Sequence, residues 1–154
     1  MPHIVAACSP EAIAHIAGLF REYAAGLGVN LDFQDFDAEV AGLPGRYAPP
    51  GGVLFLALAG TQAAGCIALR RLDSACCEMK RLYVRHHFRG RGLGRELALG
   101  VIASARAMGY GMMRLDTLPQ MSEAQTLYFS LGFREIPPYC FNPVPGSRFL
   151  ELRL

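Results

Sequence analysis

The sequence predicts a mixed α/β domain built around one β-sheet. Short apolar runs suited to strands alternate with longer segments whose apolar residues recur at helical spacing, and glycine or proline separates them. In order, the segments read β-α-α-β-β-β-α-β-α-β-β, which is typical of helices packed on a single sheet. The length of 154 residues fits one domain, residues 1–154, and the 52% hydrophobic and 18% charged residues are typical of globular proteins.

The first third of the chain predicts one strand and two helices. Residues 3–8 form an apolar run that suits a strand. Ser9 followed by Pro10 predicts a helix start, because serine caps free amides and proline is preorganised for the first turn. One apolar stripe continues this helix as far as Gly26 and Gly28: Ile13, Ile16, Ala17, Phe20 and Leu27. Residues 36–43 predict a second, shorter helix, and residues 46–52 predict a loop.

Three strands are predicted in the middle of the chain. Residues 53–59 and 63–72 are rich in strand-forming side chains, and the intervening Gly60, Thr61 and Gln62 predict a hairpin. Residues 76–84 predict the next strand. Strict alternation along it places Glu78, Lys80, Leu82 and Val84 on one face of the sheet and Met79, Arg81 and Tyr83 on the other.

The last third predicts two helices and three strands. Apolar residues recur at helical spacing from Leu93 to Met108, and Gly109 ends that helix. Residues 112–118 predict a strand, residues 122–131 a helix before Gly132, and residues 133–136 a further strand. A proline-rich loop then leads to a terminal strand over residues 148–154.

Charge and cysteine content exclude several classes of protein. The formal net charge of +2 is too small to indicate a nucleic-acid partner. The five cysteines contain no Cys-x-x-Cys pair and indicate neither a disulfide framework nor a zinc site. The adjacent His86 and His87 lack further ligands, so no metal is expected. Because no signal peptide is evident and no apolar run reaches the ~20 residues that span a bilayer, we expect a cytoplasmic protein without a membrane partner.

A glycine-rich loop separates the strand at residues 76–84 from the helix that follows. Its residues are Arg89, Gly90, Arg91, Gly92, Leu93 and Gly94, and Arg95 comes next. Glycine lets the backbone approach a ligand, and the free amides of a helix start attract an anion, phosphate above all. The arginines add positive charge, with Arg81 and Arg85 close by in sequence. The spacing fits neither a nucleotide P-loop, which needs a lysine, nor a dinucleotide fingerprint, which needs a third glycine further on.

Two motifs together resemble those of a known family. The loop fits the acyl-CoA signature [Arg/Gln]-x-x-Gly-x-[Gly/Ala], in which the three defined positions are Arg89, Gly92 and Gly94. The second motif is Ala124-x-x-Leu127-Tyr128-x-x-x-Gly132-Phe133. With these motifs and this order of elements, the chain resembles the GNAT superfamily of acyl-CoA-dependent N-acetyltransferases over most of its length, least closely over residues 28–52. The resemblance implies the GNAT fold, a mixed, mostly antiparallel sheet of six to seven strands flanked by about four helices.

The resemblance also implies an activity and a cofactor site. The implied reaction transfers the acetyl group of acetyl-CoA, a co-substrate, to a primary amine of a small molecule through a ternary complex. The phosphates of the cofactor are expected on the residues from Arg89 to Arg95, and its pantetheine arm along Leu82, Tyr83 and Val84, where a backbone N–H polarises the acetyl carbonyl. Many relatives place a cofactor-contacting asparagine where this chain has Met121, and Ser122 is the expected substitute.

Two side chains are implied as catalytic. Tyr128 corresponds to the family's general acid, and a phenol with an ordinary pKa of ~10 can protonate a thiolate whose thiol has a pKa near ~8.5. Glu78 stands where several members place the general base. It lies roughly 13 Å along the strand from Leu82, so a bridging water is expected. A water path to solvent as the base, or a cross-strand ion pair as the role of Glu78, remains open.

The sequence indicates the acceptor substrate less clearly than it indicates the cofactor. In this fold the first two helices and the loop before the last strand line the acceptor pocket, and their candidate side chains are Arg21, Tyr23, Arg46, Tyr47, Tyr139 and Asn142. Arginines there suit an acceptor with a carboxylate, such as an amino acid. The alternatives are acetylation of a protein N-terminus or lysine, and a non-catalytic acyl-CoA-binding module on the same fold. Homodimers are frequent in the family, so the chain is expected to be able to form a homodimer.

Overall fold

The computed structural model describes residues 2–32 and 35–154, which form seven strands and four α-helices. In chain order these are β1 (His3–Ala6), α1 (Pro10–Leu27), α2 (Phe36–Ala41), β2 (Val53–Ala59), β3 (Gln62–Arg71), β4 (Cys76–Val84), α3 (Leu93–Ala107), β5 (Met112–Thr117), α4 (Ser122–Ser130), β6 (Arg134–Ile136) and β7 (Arg148–Arg153). Short 3-10 turns lie at Gly45–Tyr47 and His86–Phe88.

The seven strands form one sheet in the order β1-β2-β3-β4-β5-β7-β6. Its paired neighbours run antiparallel except β4 and β5, which run parallel because α3 crosses over between them. The predicted fold class, a mixed and mostly antiparallel sheet with four helices, is confirmed.

Local signals set most of the element bounds. The Ser9 Oγ accepts a hydrogen bond of 3.1 Å from the Ala12 amide, and α1 ends at Gly28, whose φ of 68° is left-handed. The hairpin between β2 and β3 closes through Gly60, with a φ of 64°. Helix α2 ends at Ala41, two residues earlier than predicted, because Gly42 follows it and Pro44 lies just beyond. Among the described residues, no helix combines the length and apolar character that crossing a bilayer needs.

Two apolar cores lie on opposite faces of the sheet. One packs α3 and α4 against the sheet, and fully buried Leu97, Val101 and Ala105 form its centre on α3. The other packs α1 and α2 against the opposite face around Ile16, Leu19 and Phe20. Alternate residues of β2 and β3 enter the two cores, so the middle of the sheet is buried on both faces.

A β-bulge interrupts β4 and changes which side chains share a face. Cys66 of β3 pairs with Tyr83 and Ala68 pairs with Lys80, so Arg81 and Leu82 together lie opposite a single residue of β3. Arg81 has a φ of 61°, which is rare for a residue with a side chain. The predicted strict alternation is therefore wrong beyond Lys80. Leu82 and Val84 pack with Met79 on the α3 face, and Tyr83 packs on the α1 face.

Strands β4 and β5 pair over only a short length. Cys76, Cys77 and Glu78 pair with residues 112–114, and beyond these the two strands continue without pairing each other. The sheet is therefore split between the second half of β4 and the second half of β5. This split, with the start of α3 on one side and the start of α4 on the other, is where the candidate site lies.

Candidate active site

A cleft of about 540 Å³ lies at the split in the sheet. The end of β4 forms one wall through Leu82, Tyr83 and Val84, and the start of α4 with the end of α1 forms the other. The Gln120 side chain donates a hydrogen bond of 2.9 Å to the Leu27 carbonyl, and both residues line the cleft. Its volume is of the size usual for cofactor sites.

Most of the residues predicted to bind the cofactor line this cleft. Besides the three residues of β4, they are Arg89, Gly90, Gly92, Leu93, Gly94 and Ser122. Arg91 and Arg95 are exposed and do not line it, and the Arg95 side chain donates a hydrogen bond of 3.2 Å to the Ser130 Oγ. The structure thus brings together residues from β4, the glycine loop, α3 and α4 in one cavity.

The glycine loop presents an uncapped helix start to the cleft. Gly90 and Gly92 have φ values of 78° and 79°, and Gly92 precedes α3 without any side chain capping the helix. A Cβ at Gly92 would meet no atom within 4 Å, so conformation and not space requires glycine there. Free amides at the positive end of α3 therefore face a cavity, an arrangement that attracts an anion.

The arginines near the loop have different partners. Arg89 Nε donates a hydrogen bond of 2.7 Å to the Val84 carbonyl, and its guanidinium lies 5.9 Å from the centre of the Tyr83 ring. Arg85 instead pairs with Glu22 of α1, and Arg81 pairs with Glu39 of α2. Two of the five clustered arginines are therefore neutralised by acidic partners, and the positive field at the loop comes from Arg89, Arg91 and Arg95.

The bulge in β4 is fixed by the side chain of Arg81. Its Nε and Nη2 donate hydrogen bonds of 2.9 and 3.2 Å to the Glu39 carboxylate, and its guanidinium lies 5.8 and 5.2 Å from the rings of Tyr23 and Phe36. These contacts lie on the α1 and α2 face. Since a bulge leaves one residue out of the regular ladder, the main chain beside Leu82 is available to a ligand in the cleft.

Tyr128 lies at the inner end of the site. Only 6% of it is exposed, and its ring packs 5.8 Å from the ring of Phe133. It lines a second, smaller cavity of about 30 Å³ in the split, which shares Tyr23, Leu82 and Met121 with the larger cleft. Burial raises the pKa of the Tyr128 phenol above its ordinary value of 10.0. The phenol therefore stays protonated at neutral pH and is available as a hydrogen-bond donor.

Glu78 is enclosed by polar partners. Only 1% of it is exposed, its Oε1 accepts a hydrogen bond of 2.7 Å from Arg70 Nε, and its Oε2 accepts one of 2.6 Å from the Tyr139 hydroxyl. Desolvation opposes the charged form, but Lys80, Arg70 and the Tyr139 hydroxyl together outweigh it and lower the pKa of Glu78 below 4.5. A carboxylate stabilised in this way is a weak proton acceptor, so these contacts favour the cross-strand ion pair left open by the sequence. The role of Glu78 as base stays a prediction.

Two polar residues that the sequence did not single out as site residues face the smaller cavity. Lys80 of β4 has a side chain only 6% exposed, and its Nζ lies 3.9 Å from Glu78 Oε1 and 4.0 Å from Asp116 Oδ1. Asp116 of β5 accepts a hydrogen bond of 3.0 Å from Asn142 at its other oxygen, Oδ2. Alternation along β5 places Asp116 on the face opposite the buried Met113, Leu115 and Thr117, but it does not show that Asp116 reaches a cavity.

The residues predicted for the acceptor pocket separate into two groups. Tyr23 lines both cavities, while Tyr139 and Asn142 contact Glu78 and Asp116 from the loop before β7. Neither cavity is lined by Arg21, Arg46 or Tyr47. Arg46 donates a hydrogen bond of 3.0 Å to the Arg71 carbonyl, and Tyr47 is 2% exposed within the α1 and α2 core. The predicted carboxylate-binding arginines are thus not part of the site described here.

Three potential metal ligands lie close together near the smaller cavity. The carboxylates of Glu78 and Asp116 and the Cys140 thiol place one atom each within 4.8 Å of one another. The Lys80 ammonium lies 3.9 and 4.0 Å from the two carboxylates, and Arg70, Tyr139 and Asn142 already donate hydrogen bonds to them. The cluster is therefore better suited to hydrogen-bonding groups than to a metal ion.

Comparisons with known proteins agree on one family. The Acetyltransferase (GNAT) family matches residues 16–133 of the chain. An uncharacterized N-acetyltransferase of Schizosaccharomyces pombe is 38% identical over 148 residues, which are 94% of this chain and 90% of that protein. The N-acetylaspartate synthetase of Danio rerio is 34% identical over 99 residues, which are 64% of this chain and 35% of that protein. The crystal structure of the PaiA N-acetyltransferase of Thermoplasma acidophilum in complex with coenzyme A has the same fold, with a TM-score of 0.78 at 18% identity over 100% of this chain and 99% of that chain.

Proposed function

The chain belongs to the acetyltransferase (GNAT) family and is an acyl-CoA-dependent N-acetyltransferase, and we propose that it acetylates the primary amine of a small molecule. Acetyl-CoA is its co-substrate. The observation that carries the proposal is that a cofactor-sized cleft and a small polar cavity at the split in the sheet share Tyr23, Leu82 and Met121, with Tyr128 lining the smaller cavity. The two cavities provide one place for an acyl-CoA and an adjoining place for an amine.

The proposed position of the cofactor follows the walls of the larger cleft. The diphosphate lies on the amides at the start of α3, between Gly90 and Gly94, with Arg89 and the exposed Arg91 and Arg95 supplying positive charge. The pantetheine arm runs along Leu82, Tyr83 and Val84 as an added strand would. This direction brings the thioester from the glycine loop toward the smaller cavity, where Tyr128 and Leu82 both lie. Ser122, at the first position of α4, contacts the cofactor from the opposite wall.

The proposed chemistry is direct transfer within a ternary complex. The amine attacks the thioester carbon, and a backbone N–H at residues 82–84 stabilises the oxyanion that forms. The departing thiolate receives a proton from Tyr128. No cysteine lines either cavity, and burial raises the pKa of the nearby Cys140 thiol to about 11, so a cysteine nucleophile is not supported.

The proposed acceptor is a small amine, with a free amino acid as the class to test first. The inner cavity of about 30 Å³ has room for an amine head group but not for a folded protein segment. A relative named N-acetylaspartate synthetase is 34% identical over 64% of this chain, which supports an amino-acid acceptor. Lys80 lines the inner cavity, whereas the predicted Arg21 and Arg46 line neither cavity, so Lys80 is the proposed partner of a negative group on the acceptor.

The test is a coenzyme A release assay over a panel of amines, corrected for hydrolysis without amine. The panel contains free amino acids, amino-acid amides, alkylamines and short peptides. We expect amine-dependent release with at least one free small amine, and weaker release with peptides that carry the same terminal residue. Tight binding of coenzyme A without amine-dependent release would indicate the non-catalytic binding module instead. Release with peptides alone would indicate a protein acceptor.

A further inference from the structure

Two carboxylates face the acceptor side of the split, and their surroundings differ. Both Glu78 oxygens accept short hydrogen bonds, and Arg70 forms an ion pair with the group. Asp116 accepts one hydrogen bond, at Oδ2, from the neutral Asn142 side chain. Within residues 2–32 and 35–154, no hydrogen bond of 3.5 Å or less reaches Asp116 Oδ1, which lies 4.0 Å from Lys80 Nζ. Asp116 therefore has one oxygen without a hydrogen-bond donor among the described residues, whereas each Glu78 oxygen has a donor.

Asp116 also shares a cavity with the residues assigned to the transfer step. It lines the 30 Å³ cavity with Tyr128 and Leu82, whereas Glu78 does not line that cavity. A volume of this size holds a water molecule or the head group of an amine. The cavity lies in the gap where β4 and β5 no longer pair, and Asp116 of β5 lines it together with Arg81 and Leu82 of the β4 bulge. An amine in the gap is thus flanked by Asp116 and by the proposed thioester position.

On the basis of the proposed function, we infer that Asp116 is the carboxylate that binds the acceptor's ammonium group and receives its proton, in place of Glu78. Asp116 Oδ1 supplies the acceptor atom for an ammonium N–H. Asn142 fixes the carboxylate by holding Oδ2. Glu78 then has a positioning role, because its pairs with Arg70 and Tyr139 hold β4 and the loop before β7 in place around the cavity.

The charged and titratable groups around Asp116 come from every element packed against it. They are Lys80 and Glu78 on β4, Tyr23 on α1, Tyr128 on α4, and Tyr139 and Cys140 in the loop before β7. Desolvation lowers the pKa of Lys80, while Glu78 and Asp116 oppose that effect. Lys80 and Asp116 form a weak pair at 4.0 Å, and an incoming ammonium competes with Lys80 for the same carboxylate.

The proton transfers balance over the whole step. The acceptor enters as an ammonium, and Asp116 Oδ1 takes one proton, which later passes to solvent. The neutral nitrogen then forms a bond to the acetyl carbon, and the carbonyl electron pair moves to oxygen. When the intermediate collapses, the C–S bond breaks and Tyr128 protonates the thiolate. The second proton lost by the nitrogen replaces the one given by Tyr128, so the products are the amide, coenzyme A as thiol and one proton.

The experiment compares the wild-type enzyme with Asp116→Asn, Asp116→Glu and the control Asp37→Asn, an exposed residue of α2. The acceptor is the best amine of the release panel described above, and kcat/KM is measured across the pH range in which that amine titrates. We expect Asp116→Asn to lose about 100- to 10,000-fold at neutral pH, with Asp116→Glu retaining an intermediate rate. The deficit should shrink as pH rises, since more amine is then neutral and needs no base. Asp37→Asn should match the wild type.

The outcomes distinguish failure of the proposed function from failure of the inference about Asp116. If no amine of the panel is a substrate for the wild-type enzyme, the proposed function and this inference fail together. If the wild type is active and Asp116→Asn keeps its kcat/KM and pH profile, only the inference is overturned. Thermal unfolding in the presence of coenzyme A reports whether each variant is folded. Should Asp116→Asn not fold, the comparison rests on Asp116→Ala, and a kcat/KM and pH profile of that variant identical to those of the wild type would overturn the inference.

Discussion

Substitution of Gly92 by aspartate should weaken coenzyme A binding mainly through its charge. Gly92 has a left-handed backbone at φ 79°, and a side chain there would meet no protein atom within 4 Å. Aspartate and asparagine both tolerate this conformation, at a shared strain of about 1 kcal/mol. Gly92→Asn therefore reproduces the size and backbone cost of Gly92→Asp without the charge.

The charge effect follows from the proposed position of the diphosphate. A carboxylate about 5 Å from one phosphate charge costs about 3 kcal/mol at an effective dielectric constant near 20, which is roughly a 100-fold increase in Kd. Because the loop is exposed, salt should reduce this difference, since the Debye length falls from about 30 Å at 0.01 M to about 10 Å at 0.1 M ionic strength.

The assay is isothermal titration of coenzyme A into the wild type, Gly92→Asp, Gly92→Asn and the control Gly60→Asp. Gly60 has a similar left-handed φ of 64° and open space around it, but it lies in the turn between β2 and β3. We expect the order of affinity wild type, then Gly92→Asn, then Gly92→Asp, with Gly60→Asp unchanged. Equal affinities for Gly92→Asp and Gly92→Asn at low salt would refute the placement of phosphate on this loop.

Three further predictions concern Tyr128, the bulge and the buried ion pair. Tyr128→Phe should lower kcat by about 100-fold or more, with coenzyme A affinity almost unchanged, and an unaltered kcat in steady-state assays would reduce Tyr128 to a packing role. Glu39→Gln leaves the buried Arg81 guanidinium without its counter-charge, so urea unfolding should show a loss of about 3 kcal/mol in the free energy of unfolding. A free energy of unfolding equal to that of the wild type within error would show that the pair does not fix the bulge. Because the pKa of Glu78 is held below its ordinary value of 4.5, its contribution to stability is complete above that pH and lost as pH falls through the lowered pKa. Unfolding free energies measured from about pH 7 to about pH 3 should therefore fall less steeply for Glu78→Gln than for the wild type, and parallel curves would contradict this.

Sequence patterns predicted the fold because local signals end each element. Ser9 with Pro10, Gly28, Gly60 and the glycine loop mark bounds that the structure reproduces within one or two residues at most positions. The segments that the family signature predicted for cofactor binding lie around one cleft, since they are the end of one strand and the start of the next helix. Such short-range relations are visible in a sequence.

The wrong and missing predictions concern contacts between residues that are distant in sequence and local backbone conformations that no sequence motif marks. The bulge in β4 depends on a left-handed arginine, Arg81, at a position where a glycine would have been the usual signal. The partners of Glu78 include Tyr139, which is 61 residues away and reaches it from the loop between β6 and β7. Asp116 was not predicted because its place in the site depends on the parallel pairing of β5 with β4 and on the gap beyond it.

The most direct test of the whole account is a crystal structure of the protein with coenzyme A. We expect the diphosphate on the main-chain amides between Gly90 and Gly94, the pantetheine arm beside the bulge of β4, and the sulfur within hydrogen-bonding reach of the Tyr128 hydroxyl. Coenzyme A bound elsewhere, or bound in the cleft with its sulfur away from Tyr128, would contradict it.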